Sequence, residues 1–177
     1  MKLIAALLLA VGSAGAFAAD AGSTYMGAGL SSTRLFGDAS GFNGSSLDRH
    51  GVGVRVFGGK ALDANWRAEV AYEYTEGLHV NKAGRSQDLT MQTVSASALY
   101  SFNQVTRCNT TPFVKAGLAV TDFSDAKSAT TVSPVFGAGL DTALTKDLSL
   151  RVEADRVWES GPGEQVWRVG AALSTKF

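Results

Sequence analysis

The sequence has little to cross-link it, steer it or carry catalysis. A single cysteine, Cys108, excludes an intramolecular disulfide and is placed in a turn over 103–111. Three prolines and 20 glycines, without a repeating period, exclude a collagen-like chain or a disordered linker. Lys+Arg 16 balance Asp+Glu 16, so there is no net field to draw in nucleic acid. His50 and His79 are the two histidines, and no Cys/His cluster has metal-ligand spacing. Hydrophobic content is 45%, yet beyond the amino-terminal segment no run of eighteen apolar residues could form a spanning helix. No stretch keeps a helical period, which excludes βαβ units, and no glycine-rich turn leads into a helix to cradle phosphate. No cofactor and no metal are expected.

What is present begins with an address. Lys2 precedes nine apolar residues, Leu3 to Val11, and the small residues of Gly12–Ser13–Ala14–Gly15 and Ala16–Phe17–Ala18 follow. This is the anatomy of a bacterial secretory signal, with the cut expected after Ala18. Residues 1–18 are then the signal peptide, and 19–177 one exported domain of about 159 residues. No cysteine stands directly after the apolar stretch, so the signal is not of the lipoprotein type.

The exported part alternates. Read back from the carboxy-terminus, Phe177, Thr175, Leu173, Ala171, Val169 and Trp167 share one face, and Lys176, Ser174, Ala172, Gly170 and Arg168 the other. Side chains alternate across a strand, so 163–177 is a strand with an apolar face and a small, polar or charged face. The same pattern recurs at 24–35, 51–60, 66–75, 88–102, around 114–121, at 132–142 and at 147–158, with polar, glycine-containing segments at 36–50 and 76–87 read as loops. Eight strands in hairpin order follow. Pro134, unable to donate to a ladder, calls for a bulge or an unpaired rim.

The charges choose the architecture. Arg55, Arg67, Glu69, Glu73, Lys115, Arg151, Glu153, Asp155 and Arg168 all fall on the non-apolar face of their strands, and Arg156 is the exception. A soluble barrel would show the reverse. In lipid a closed barrel needs an apolar outside, because hydrocarbon offers a charge no partner. The expected fold is therefore all-β, an eight-stranded antiparallel transmembrane up-and-down β-barrel with the charges in its lumen. The aromatics form two girdles, Trp66, Tyr100, Phe102 and Phe177 at the periplasmic rim and Tyr72, Tyr74, Phe136, Trp158 and Trp167 at the outer rim.

With the signal, the opening Tyr25–Met26–Gly27–Ala28–Gly29–Leu30 and the closing Arg168–Val169–Gly170–Ala171–Ala172–Leu173 with Phe177, the sequence resembles the small OmpA/OmpX-type outer-membrane barrels of Gram-negative bacteria. The resemblance covers the barrel only, without a peptidoglycan-binding domain. It implies residence in the outer membrane as a monomer among phospholipid and lipopolysaccharide. It further implies escort by periplasmic chaperones and recognition by the barrel-assembly machinery of a last-strand signal at Arg168, Gly170, Leu173 and Phe177, with Thr175 where a hydrophobic residue is usual. The function expected is a non-enzymatic barrel, structural or weakly porin-like, its lumen filled by paired charges. The alternatives are a surface adhesion or serum-resistance protein acting through outer loops, and an enzyme that modifies lipid A. The last would use His50 or His79 with Ser45, Ser46 and Asp48, but the signature of lipid A deacylases is missing.

Overall fold

A computed structural model of the protein describes residues 22–36, 47–48, 50–82, 85–103, 109–124, 130–158 and 165–177. They form strands β1 (Thr24–Phe36), β2 (Leu47–Asp48), β3 (His50–Ala61), β4 (Trp66–Lys82), β5 (Arg85–Ser101), β6 (Thr110–Ser124), β7 (Thr130–Ala143), β8 (Leu148–Trp158) and β9 (Gln165–Lys176). All pairings are antiparallel; the eight long strands each pair with the long strand before and after them in the chain, and β1 also pairs with β9. Eight strands thus close a barrel. The short β2 adds to β4 beyond the end of β3, through Leu47↔Val80 and Asp48↔His79.

Closure fixes the stagger. Partners followed round the wall from Tyr25 run through Gly59, Glu69, Ser97, Gly117, Val135, Val157 and Val166, and return to β1 at Leu35, ten residues further on. Such a stagger goes with strands tilted by about 35–45° and an interior just wide enough for side chains to fill.

The alternation sorts the two faces. Met26, Leu30, Val52, Val54, Leu118, Val169 and Leu173 are all at least half exposed on the outside, while Phe57, Leu99, Phe113 and the charged side chains point inward. A continuous apolar outer belt is far more than a water-soluble monomer shows, and a bilayer is the solvent that suits it.

One end of the barrel carries tight turns, the start of β1 and the end of β9. In the β3–β4 turn the amides of Trp66 and Asn65 donate to the Asp63 carboxylate at 2.7 and 2.8 Å. In the β7–β8 turn the Thr145 hydroxyl accepts from the amides of Leu148 and Asp147 at 3.0 and 3.3 Å. Both are side chains standing in for a backbone acceptor. The Trp66 amide, then that of Asn65, holds the exposed Asp63 carboxyl below its ordinary pKa. A carboxyl lowered in the folded state stabilises above its unfolded pKa and loses that contribution as pH falls through the folded value. Protection of the Trp66 and Asn65 amides, measured against intrinsic exchange at the same pH, is therefore expected to fall on acidification below the usual carboxylate range, and Asp63→Ala to remove that change in protection.

The other end is taller than the alternation predicts. Residues 76–82 and 85–87, read as a loop, continue β4 and β5 as a ladder from Leu78↔Leu89 to Lys82↔Arg85, with the register shifting between Thr75 and Leu78. Gly77 sits in that irregularity at φ 83°, a backbone region glycine enters without strain. Each of these strands has 17 residues against the 9–11 that cross a bilayer, so the hairpin projects past the barrel. Pro134 pairs with Leu118 in the β6–β7 ladder and lies one residue beyond the first β7–β8 pair, Val135↔Val157, so it stands at a ladder end. Cys108 lies outside the described residues.

Candidate functional site: the charged lumen

The inner face carries the nine predicted charges and one more, Asp141. All ten side chains are largely or wholly buried, and their ion pairs join into one continuous chain. Arg67 meets Asp141 at 2.7 Å, and Asp141 meets Arg151 Nε at 2.8 Å. Arg151 reaches Glu69 at 2.5 Å, and Glu69 meets Arg55 at 3.3 Å. Arg55 contacts Glu153 and, at 3.2 Å, Asp155. Lys115 bridges the same two carboxylates at 3.2 and 2.5 Å. Arg168 ends the run, 2.6 Å from Asp155 and 3.3 Å from Glu73.

Asp141 is what the sequence reading missed. With it the ion-pair chain among the described residues holds five cations and five carboxylates, so its charges balance. Its parity on β7 had already put it on the inner face, two positions beyond Gly139. An ion pair held from water is costly unless its remaining donors and acceptors are also met, and here several are. Tyr25 donates to Glu69 at 2.9 Å, and Ser31 to Glu73 at 2.8 Å.

Aromatic rings line the network on the turn side. The Arg151 guanidinium lies 4.5 Å from the Phe57 ring centroid, 4.9 Å from Phe113 and 5.5 Å from Tyr25, and Arg67 lies 5.2 Å from Phe113. Such stacking suits a planar, weakly hydrated cation. Gly59 makes room for the Tyr25 ring, which any Cβ there would strike.

Towards the loop end the lumen closes differently. Met91, Ala119, Val135, Val157 and Val166 pack together inside the barrel, each at most 1% exposed. On its strand Val157 is the next inward residue after Asp155, and Val166 the one before Arg168. The lumen face is therefore not polar throughout, as the alternation had implied. Thr33, Thr75, Thr121 and Ser133, all fully buried, complete this layer. Below it, a void beside Arg55, Glu73, Asp155 and Arg168 has room for about one water molecule and none for a hydrated ion.

The rims differ as well. At the turn end Trp66, Tyr100 and Phe102 stack edge to face with centroids 5.1 Å apart, and the Phe177 amide donates to the Thr24 carbonyl at 3.2 Å. Towards the loop end Phe136, Trp158 and Trp167 are outward and exposed, while Tyr72 and Tyr74 are half-buried and donate to Gln92 at 3.3 Å and Glu76 at 2.7 Å. Of the last-strand signal residues, Leu173 and Phe177 face outward, whereas Arg168 is committed to the lumen.

Residues 4–174 match the family described as outer membrane protein beta-barrel domain. The chain belongs to that family. The outer-membrane barrel also has solved counterparts. Neisserial surface protein A aligns with a TM-score of 0.66 at 18% identity, covering 87% of this chain and 97% of its own. The outer membrane protein OprG from Pseudomonas aeruginosa aligns at 0.66 and 11%, covering 91% and 99%. Ail, the attachment invasion locus protein of Yersinia pestis, solved with the heparin analogue sucrose octasulfate, aligns at 0.62 and 15%, covering 89% and 99%. These likenesses are of fold. A comparison with curated proteins finds no match. In barrels of this kind short turns face the periplasm and longer loops the exterior.

His50 is exposed at the start of β3; the backbone register sets Asp48 and Asp88 opposite His79, and Ser45 and Ser46 lie outside the described residues. No group of three or more His, Cys, Asp or Glu among the described residues could hold a metal ion.

Proposed function

We propose that the protein is a non-enzymatic outer-membrane barrel that spans the membrane without conducting through it. In this reading the signal is cut after Ala18, both termini face the periplasm, and the chain works as a monomer. The observation that carries the reading is what occupies the lumen among the described residues. A neutral, continuous run of ion pairs fills its middle, and a packed apolar layer lies across it on the loop side. An apolar constriction blocks ions by excluding water even where charges beneath it are exposed. Breaking one pair should therefore not open the barrel.

Planar-bilayer recording tests this. The unmodified protein and Arg55→Ala should both show no steady conductance, whereas Met91→Ser, Val157→Ser and Arg168→Ser combined should conduct. A large, steady conductance in the unmodified protein would replace this reading with a porin.

The projecting β4–β5 hairpin favours a second reading, in which the loop end binds a surface ligand. The name of the Ail counterpart points the same way for that protein. Cells lacking the hairpin tip, residues 78–89, would then lose adhesion while the barrel still folds.

A further inference from the structure

Arg156 is the one charge of β8 on the wrong face for a lumen residue. It projects outward, from the apolar face, near the loop-end rim. Its guanidinium carbon lies 4.3 Å from the Trp158 ring centroid and 5.5 Å from that of Trp167. Its Nε is buried without a hydrogen-bond partner, and it makes no ion pair among the described residues. Two tryptophans thus pack against the cation.

The register extends the site sideways. Arg156 pairs with Trp167 on β9, and Trp167 with Arg34 on β1, whose side chain is exposed on the same face. Two guanidinium groups therefore flank Trp167 at the depth where tryptophans mark the boundary between hydrocarbon and headgroups. A cation at that depth is costly in hydrocarbon and favourable beside an anionic headgroup. Guanidinium matches phosphate oxygens with paired, charge-assisted hydrogen bonds.

The geometry points to a lipid-phosphate site on the outer wall at β8, β9 and β1, built by Arg156 and Arg34 around Trp167, that holds the phosphate of an outer-leaflet glycolipid such as lipid A. Acyl chains would run down the apolar wall past Ala154 and Val169. This rests on the reading above that the loop end faces the exterior. It adds that one side of the barrel selects its lipid by the phosphate.

The test is native mass spectrometry of the folded protein in detergent, with lipid A and with its dephosphorylated form. The intact barrel should retain lipid A and discriminate against the dephosphorylated lipid. Arg156→Gln should weaken lipid A binding about tenfold, the size of a charge-assisted hydrogen bond, and Arg156→Lys by less. Lys146→Gln, in the β7–β8 turn, should leave it unchanged. Heat-shifted electrophoresis keeps the comparison to folded barrels. Equal binding of both lipids, or full lipid A binding by Arg156→Gln, would overturn the site. Orientation is read separately, by labelling Thr145→Cys in a Cys108→Ser background. Protection in intact cells supports the assignment, and labelling from outside would overturn the outer-leaflet assignment whatever the binding result.

Discussion

Asp155→Ala is expected to destabilise the folded barrel by about 3–5 kcal/mol, the range for breaking a buried pair by removing one partner. Asp155 is the point where three cations converge, Arg168 at 2.6 Å, Lys115 at 2.5 Å and Arg55 at 3.2 Å. Glu153 still serves Arg55 and Lys115, and Glu73 still serves Arg168, but the lumen is left with one cation too many. The void beside Asp155 has room for about one water molecule to solvate it. Denaturant titration of refolding into lipid vesicles measures the loss. Ser149→Ala, on the same strand and face but outside the ion-pair chain, should stay within about 0.5 kcal/mol. Equal, small effects would mean that the lumen is wet.

The second large effect belongs to the outer wall and depends on depth. Val56→Lys on β3 should cost about 2–4 kcal/mol, while Val52→Lys, on the same strand and face but nearer the loop end, should cost about 0–1 kcal/mol. Both valines are exposed on the outer face, at 40% and 68%, so packing contributes little to the difference. What separates them is their distance from the bilayer centre. The same refolding assay in vesicles gives both numbers, and matching costs would mean the hydrocarbon band lies elsewhere. An inner-face comparison at Ala71→Lys would mislead. Ala71 is 5% exposed and packed with Tyr25 and Phe57, so a lysine there overfills the lumen.

The barrel was legible because its signal needs only a period of two. Each wall strand must show lipid one face and its neighbours the other, and that constraint writes itself into every second residue from Met26 to Leu173. It lapses where the constraint lapses. Beyond Thr75 the hairpin runs past the barrel wall, where no lipid face is required, and the sequence from Glu76 to Gln87 loses the alternation while the backbone ladder continues from Leu78↔Leu89 to Lys82↔Arg85. The faces of the charges were equally legible, but most of their partners were not. Arg55 and Glu69 sit on adjacent strands, so nearness in the sheet suggests their 3.3 Å contact. Arg55 meeting Glu153 and Asp155 depends instead on the stagger with which the barrel closes, which no single strand records. The apolar layer escaped notice for a different reason. Val135, Val157 and Val166 have the parity of lumen residues, yet valine on any strand of an outer-membrane barrel reads as lipid-facing until its phase is counted against Asp155 and Arg168.

The inner charges are paired with one another and held away from water, beneath the apolar layer that closes the lumen. A double-mutant cycle on Glu69 and Arg151 tests this most directly. The two side chains are each 1% exposed and 2.5 Å apart, on strands that are not neighbours in the wall. Glu69→Gln, Arg151→Met and the double variant should be compared by refolding into vesicles. Coupling of about 2–3 kcal/mol, with the double variant more stable than the sum of the single losses allows, is the predicted result. Additive losses, within about 0.5 kcal/mol, would contradict it and mean that each charge is solvated separately in an open lumen.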